Sequence, residues 1–140
     1  MSITRIFLLI NAIGWALFGF YAFFNPETLR TTILGANTIS SDGVSELMDI
    51  YGGTCLGAAT LFLSAFFKPH LERPALYFII AYMGGIAVAR FFASFLAGFP
   101  SSKFLAFWAI ESVSALIAIF LLVGMARFAR SQVTRDTEEE

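Results

Sequence analysis

The sequence predicts an all-α integral membrane protein that folds as a four-helix bundle. Its 140 residues are 58% hydrophobic and 14% charged, whereas a soluble domain carries about 25% charged residues. Four apolar stretches each reach the roughly 20 residues that a helix needs to cross the hydrocarbon core of a bilayer. None of them alternates in polarity as the strands of a membrane barrel do. Because a continuous apolar backbone in lipid must form its hydrogen bonds internally, the four stretches are predicted to be helices.

The predicted helices cover residues 3–24, 47–67, 75–99 and 104–128, and together they form one domain over residues 1–128. The first apolar run is longer than the core of a signal peptide and lacks a small-residue cleavage site, so we expect it to remain as a helix. Residues 129–140 form a charged, acidic tail, which we expect to be solvated and frayed.

Basic residues predict the orientation of the chain, because Lys and Arg accumulate on cytoplasmic flanks. One set of helix ends carries six of them and the opposite set carries two. Both termini are therefore expected in the cytoplasm. The six are Arg5, Lys68, Arg73, Arg127, Arg130 and Arg135, and the two are Arg30 and Lys103.

The orientation places a long loop, residues 25–45, on the outer side between the first two helices. Asn25, Pro26 and Glu27 are typical of a helix start, and the following residues predict a short surface helix that ends at Gly35 and Asn37. Residues 40–43 are expected to form a turn, with Ser45 as the cap of the second long helix. A loop of this length is either functional or a lid over the outer face, and we favour the lid.

Ionisable side chains within the predicted helices are the most informative feature of the sequence. Arg90 lies nine residues before Phe99, about 13 Å below the outer end at 1.5 Å per residue. Glu111 lies seven residues after Phe104, about 10 Å deep by the same rise. An unpaired arginine at this depth costs about 2.5–3.5 kcal/mol or more. We therefore predict a bidentate ion pair between Arg90 and Glu111.

The second helix adds acids near the same outer level. Glu46 and Asp49 are three residues apart and so share one helical face, and Tyr51 lies on the adjacent flank. Together with Arg90 and Glu111 they outline a polar pocket beneath the outer loop. Two interpretations stay open at this point. Charges in a membrane mark either a ligand or catalytic pocket, or a clamp that fixes the helices.

Small residues are predicted to set the helix packing, because they let helix backbones approach closely in lipid. Five glycines stand out on the second and third long helices: Gly52, Gly53, Gly57, Gly84 and Gly85. On the first helix, Asn11 is expected to hydrogen-bond a neighbouring helix.

Several kinds of chemistry are excluded by what the sequence contains. Cys55 is the single cysteine and His70 the single histidine, so neither a disulfide framework nor a zinc or haem site is expected. Glycine-rich phosphate loops and Ser-His-Asp sets are missing as well. The net charge of −1 argues against nucleic acid as a partner. We therefore expect no metal and no cofactor.

The run from Glu46 to Gly57 resembles the E-x-R-x-x-Y-G-G-x-x-x-G signature of the DUF4345 family. These are small four-helix bacterial membrane proteins of unknown function, related to the DoxX-like group. The resemblance extends to Asn25-Pro26, Gly35, Arg90 and Glu111. The chain departs from the signature at Met48, where the family has arginine, so any ion pair through that arginine is absent. The resemblance implies the inner membrane of a bacterium.

Two functions follow, and both remain hypotheses at this stage. The first is an accessory or assembly subunit that docks on other membrane subunits or on copies of itself, as members of the wider group do in membrane oxidoreductases. The alternative is a binder or isomerase-like acid–base enzyme for an apolar small molecule, as implied by distantly similar sterol isomerases. In it, Asp49, Arg90 and Glu111 line the pocket. A transporter ranks below both, because the chain shows no inverted repeat.

Overall fold

The computed structural model describes residues 2–31, 35, 40–99 and 101–138, with the backbone alone at residues 97, 129, 130 and 132–138. Its regular elements are helical. They are α1 (Ile3–Phe24), α2 (Pro26–Leu29), α3 (Ser41–Leu47), a π-helical turn (Met48–Gly53), α4 (Thr54–Phe67), a 3-10 turn (Pro69–Leu71), α5 (Glu72–Ala97) and α6 (Ser102–Glu138).

Four of the helical stretches are long and apolar enough to cross a membrane, which confirms the predicted class. They cover Ile3–Phe24, Ser41–Phe67, Pro69–Leu96 and Ser102–Phe128. The second stretch includes α3, the π turn and α4, and it begins six residues before the predicted start. The chain is therefore all-α over the described residues, with four candidate membrane spans.

The early start of the second stretch has a local cause. The Ser40 hydroxyl accepts a hydrogen bond of 3.2 Å from the backbone N–H of Gly43, and Asp42 lies in the first turn. A capping hydroxyl and an early acid both stabilise a helix N-terminus. Ser40 is thus the cap of α3, and the prediction that Ser45 plays this role is wrong, since Ser45 lies inside the helix.

The region between α1 and α3 is described only in part. As predicted from Asn25-Pro26-Glu27, a helix begins after Asn25 with proline at its first position. It ends at Leu29. The later part of the expected surface helix, residues 32–34, and its end at Asn37 lie outside the described ranges, as do residues 36, 38 and 39 of the expected lid.

The C-terminal region contains the end of α6. α6 continues as far as Glu138, ten residues beyond the apolar stretch that ends at Phe128. After Gly124 the sequence contains no glycine and no proline. Nothing in it interrupts the helix, and Arg, Gln and Glu are good helix formers.

The chain divides into two units, Met1–Ala75 and Leu76–Glu140. In the first unit α1 packs along α4 and the π turn. Phe62 is fully buried and meets the Trp15 ring edge-on at 5.9 Å. A β-carbon on Gly19 would lie 3.1 Å from the Cβ atom of Cys55, so α1 and α4 approach closely here and a larger residue would force its neighbours to shift.

Asn11 uses its amide differently from the prediction. It is buried, and its Nδ2 donates a hydrogen bond of 2.9 Å to the carbonyl oxygen of Phe7 in the same helix. The expected bond to a neighbouring helix is thus replaced by one to the carbonyl four residues earlier. This arrangement satisfies a buried polar group without a partner helix.

In the second unit, the part of α5 from Leu76 onward and α6 run antiparallel. Phe91 lies beside Trp108 at 6.3 Å, and a β-carbon on Gly84 would lie 3.8 Å from that of Ala115. As residue numbers rise on one helix they fall on the other, which is the register of a helical hairpin. This register determines which polar groups of α5 and α6 meet.

Candidate functional site

The charged groups of α5 and α6 meet in the second unit. Arg90 Nε donates to Glu111 Oε2 at 2.8 Å, and Arg90 Nη2 donates to Glu111 Oε1 at 3.2 Å. Two parallel bonds of this kind form the bidentate geometry that suits guanidinium and carboxylate. The predicted Arg90–Glu111 pair is confirmed.

An aromatic ring completes the surroundings of Arg90. The Cζ atom of Arg90 lies 5.1 Å from the centre of the Phe104 ring, within the range of a cation–π interaction. Phe104 lies in the first turn of α6, and Glu111 lies two turns further along. α6 therefore contacts the guanidinium through both a carboxylate and a ring.

The opposite charges of Arg90 and Glu111 compensate each other within this pair. Both carboxylate oxygens accept from one guanidinium, and the side chains of Arg90 and Glu111 are 28% and 14% exposed. Taking both charges out of water is costly unless they meet in good geometry, and here they do. The arrangement fits a clamp between α5 and α6.

The other predicted site residues lie in the first unit. Glu46 is exposed on α3, Asp49 is exposed in the π turn, and Tyr51 is half-buried against a cluster formed by Ala22, Leu29 and Leu47. Arg90 and Glu111 belong to the second unit. The structure thus brings together one predicted pair, Arg90 with Glu111.

The predicted packing glycines have different surroundings. Gly52 is buried, and a β-carbon there would lie 3.0 Å from Cβ and 3.2 Å from Cα of Phe23. Gly84 makes an ordinary contact. A β-carbon on Gly53, Gly57 or Gly85 would meet no described atom of its own unit within 4 Å. Close approach therefore occurs at Gly52, whereas Gly53 and Gly57 lie on the exposed side of their helix.

A second ion pair was not predicted. Arg5 Nε donates to Glu72 Oε1 at 2.8 Å, and the side chain of Glu72 is 10% exposed. Sequence reasoning counted Arg5 only as a flanking charge. The signal was available, because the predicted orientation already places the start of α1 and the turn before α5 at one membrane face.

The π turn was also missed. The backbone N–H of Thr54 bonds to the carbonyl of Asp49, five residues earlier, where an α-helix uses the carbonyl four residues earlier. The turn coincides with the Tyr51-Gly52-Gly53 segment, and two adjacent glycines in a helix were the available signal. π-helical turns occur frequently at functional sites.

The family of the chain follows from comparison with known proteins. A family model for a domain of unknown function, DUF4345, matches residues 3–122. The chain belongs to the DUF4345 family. The match begins at α1 and extends well into α6, so it includes the Arg5–Glu72 pair, the Arg90–Glu111 pair and the π turn. The chain shows no significant similarity to any curated protein or to any solved structure.

Family membership assigns this DUF4345 chain no chemistry. In the part of the chain that the structure describes, no three His, Cys, Asp or Glu side chains come together in a way that could hold a metal ion. The groups considered further are the Arg5–Glu72 pair, the Arg90–Glu111 pair and the exposed acids Glu46 and Asp49.

Proposed function

We propose that this DUF4345 protein is an accessory or assembly subunit of a larger membrane complex, in which the Arg90–Glu111 pair holds α5 against α6. The observation that carries the proposal is the bidentate pair itself. Glu111 directs both carboxylate oxygens to Arg90, and Phe104 covers the guanidinium. A carboxylate whose two oxygens both accept from one guanidinium fixes the contact between the two helices that carry the pair.

Exposed small residues on α4 support the docking part of the proposal. Gly57 and Thr60 follow Gly53 along one exposed side of the helix, whereas Cys55, Ala59 and Phe62 are buried. Stretches with glycine four residues apart allow another helix to approach closely in lipid. We propose that this side of α4 contacts a different membrane subunit.

The test is the mass of the particle extracted from native membranes in a mild detergent. We expect a particle heavier than a monomer or homodimer, with other membrane proteins in fixed proportion. Gly57→Leu should release the chain from that particle, whereas Gly14→Leu, at an exposed glycine of α1 that also has an open surrounding, should leave the particle intact. A monomer or homodimer without partners contradicts the proposal.

A second candidate function is binding, or acid–base chemistry, on an apolar small molecule. The observation that favours it is the position of Asp49, an exposed acid within a π turn, since such turns are frequent at functional sites. In this alternative Asp49 or Glu111 acts as the acid or base.

Mass spectrometry of apolar molecules that co-purify with the protein distinguishes the two functions. If the alternative holds, Asp49→Asn and Glu111→Gln lose a specific co-purifying molecule while the folded protein is recovered in normal amount. Loss of folded protein on Glu111→Gln, with no molecule lost on Asp49→Asn, supports the clamp.

We also propose that both termini face the cytoplasm and that the membrane is the inner membrane of a bacterium. Lys68 and Arg73 flank the turn between α4 and α5, and Arg127 follows the apolar part of α6. An excess of basic residues marks the cytoplasmic side.

A further inference from the structure

The π turn Met48–Gly53 changes the register of the helix that contains it. Thr54 N–H bonds to Asp49, whereas the N–H of Met48 bonds back to Val44 in α-helical fashion. One residue more is therefore accommodated in this turn than an α-helix would take. Closing the turn to α-helical geometry would rotate α3 against α4 by about 100° and move it about 1.5 Å along the axis.

Such a rotation exchanges particular side chains. Met48 would take the place of Leu47, and Leu47 would take the place of Glu46. At present Leu47 is 5% exposed and packs with Ala22 and Leu29, whereas Glu46 is exposed.

The residues that would be exchanged are chemically suited to replace each other. Leucine and methionine have similar volumes, and exchanging them is among the best tolerated changes in a packed core. The cluster that receives them, with Phe18 and Tyr51 at its edge, is therefore filled in either register. Two adjacent glycines, Gly52 and Gly53, lie within the turn that must change, and glycine imposes the weakest conformational restriction on a backbone.

We propose that the π turn is a hinge with two registers, in which Leu47 and Met48 alternate in the cluster of Ala22 and Leu29. Each exchange carries the exposed carboxylate of Glu46 about 100° around the helix axis. The hinge thus changes the face that α3 presents at one end of the second membrane-spanning stretch, independently of whether the protein is a subunit or a binder.

Cysteine reactivity in the full chain tests this. Single cysteines replace Glu46, Leu47 or Ala22 in a Cys55→Ala background, and the protein in lipid vesicles reacts with N-ethylmaleimide. Leu47→Cys should react at about one-thousandth to one-tenth of the rate of Glu46→Cys, because minor states of this kind are populated at about 0.1–10%. Ala22→Cys, buried in the same cluster in both registers, should react more slowly still. Equal rates at positions 47 and 22 overturn the proposal.

Two variants test the mechanism of exposure. Deleting Ile50 removes the extra residue, so an unbroken α-helix holds position 47 in the cluster and its reactivity should fall to that of position 22. Met48→Asp blocks the second register by placing a charge in the apolar cluster, and it should have the same effect, whereas Met48→Leu should leave the reactivity of position 47 unchanged. If Met48→Asp leaves that reactivity unchanged, position 47 is exposed by another motion and the hinge is refuted, whether or not the deletion variant folds.

Discussion

Glu72, the first residue of α5, accepts a hydrogen bond of 2.8 Å from Arg5 in the first turn of α1. The two residues are 67 positions apart in the chain, and the bond ties the beginnings of two membrane-spanning stretches together. The N-terminal ends of α1 and α5 therefore lie next to each other. The prediction that the first two stretches cross the membrane in opposite directions would also place these two helix ends side by side.

Removing the charge of Glu72 should destabilise the protein. In Glu72→Gln the guanidinium of Arg5 loses a nearly buried partner, and hydrogen bonds to charged groups contribute about 1.5–3 kcal/mol. We expect a lower midpoint of thermal unfolding in detergent. Glu46→Gln, at an exposed acid, serves as the control and should change the midpoint little. Equal midpoints for the two variants would show that the Arg5–Glu72 bond contributes nothing.

Breaking the Arg90–Glu111 pair should reduce the stability of the folded protein more than breaking the Arg5–Glu72 pair. Glu111→Gln leaves Arg90 without its carboxylate within a membrane-spanning stretch, where an unpaired arginine costs about 2.5–3.5 kcal/mol. The double variant Arg90→Glu/Glu111→Arg restores opposite charges and should recover part of the loss. Thermal unfolding of the single and double variants measures the coupling between the two residues. If the loss of stability in the double variant equals the sum of the losses in the two single variants, a direct interaction between Arg90 and Glu111 is contradicted.

Gly52 and Gly53 are adjacent but should respond oppositely to alanine. In Gly52→Ala the new methyl group would meet Cα and Cβ of Phe23, atoms that cannot move aside, and overpacking of this kind costs about 1–3 kcal/mol. Gly53→Ala adds a methyl group where its own unit leaves space, and it should be neutral or stabilising by up to about 1 kcal/mol. Thermal unfolding of the two variants, measured side by side, compares their stabilities. A larger loss of stability at position 53 than at position 52 would contradict the packing of Gly52 against Phe23.

The predicted orientation can be measured with single cysteines in intact bacterial cells. In the Cys55→Ala background, Lys103→Cys should react with a membrane-impermeant maleimide, because the start of α6 is predicted to face outward. Lys68→Cys, in the turn before α5, should react only after the cells are opened. The reverse labelling pattern would show the opposite orientation and contradict the prediction from the basic residues.

Average properties of the sequence were enough to predict the class and the spans. Continuous apolar runs determine where a helix can lie in lipid, and the bounds of α1 agree with the prediction because the polar residues Ser2 and Asn25 flank it. The start of the second stretch was placed too late, since hydropathy does not register a helix that begins with a polar turn. Ser40 and Gly43 carried that information instead.

The depth of charged residues within the apolar stretches was enough to predict the Arg90–Glu111 pair, but not the rest of the candidate site. Arg90 and Glu111 were matched because both lie deep in apolar stretches, where an unpaired charge is costly. Arg5 and Glu72 lie at helix ends, where water is an alternative partner, so no comparable penalty singled them out. The π turn escaped prediction because the periodicity of 3.6 residues assumes an α-helix throughout, and only Gly52 and Gly53 hinted otherwise.

The length of α6 has a consequence outside the lipid. Its 37 residues extend about 55 Å at 1.5 Å per residue, and a bilayer with its headgroups is about 40–45 Å thick. If α6 stands upright in a bilayer, at least about 10 Å of uninterrupted helix extends into the aqueous phase. A fluorescent tag fused after residue 138 would be carried on a stiff stem, and energy transfer to dyes in the headgroup layer would report its height.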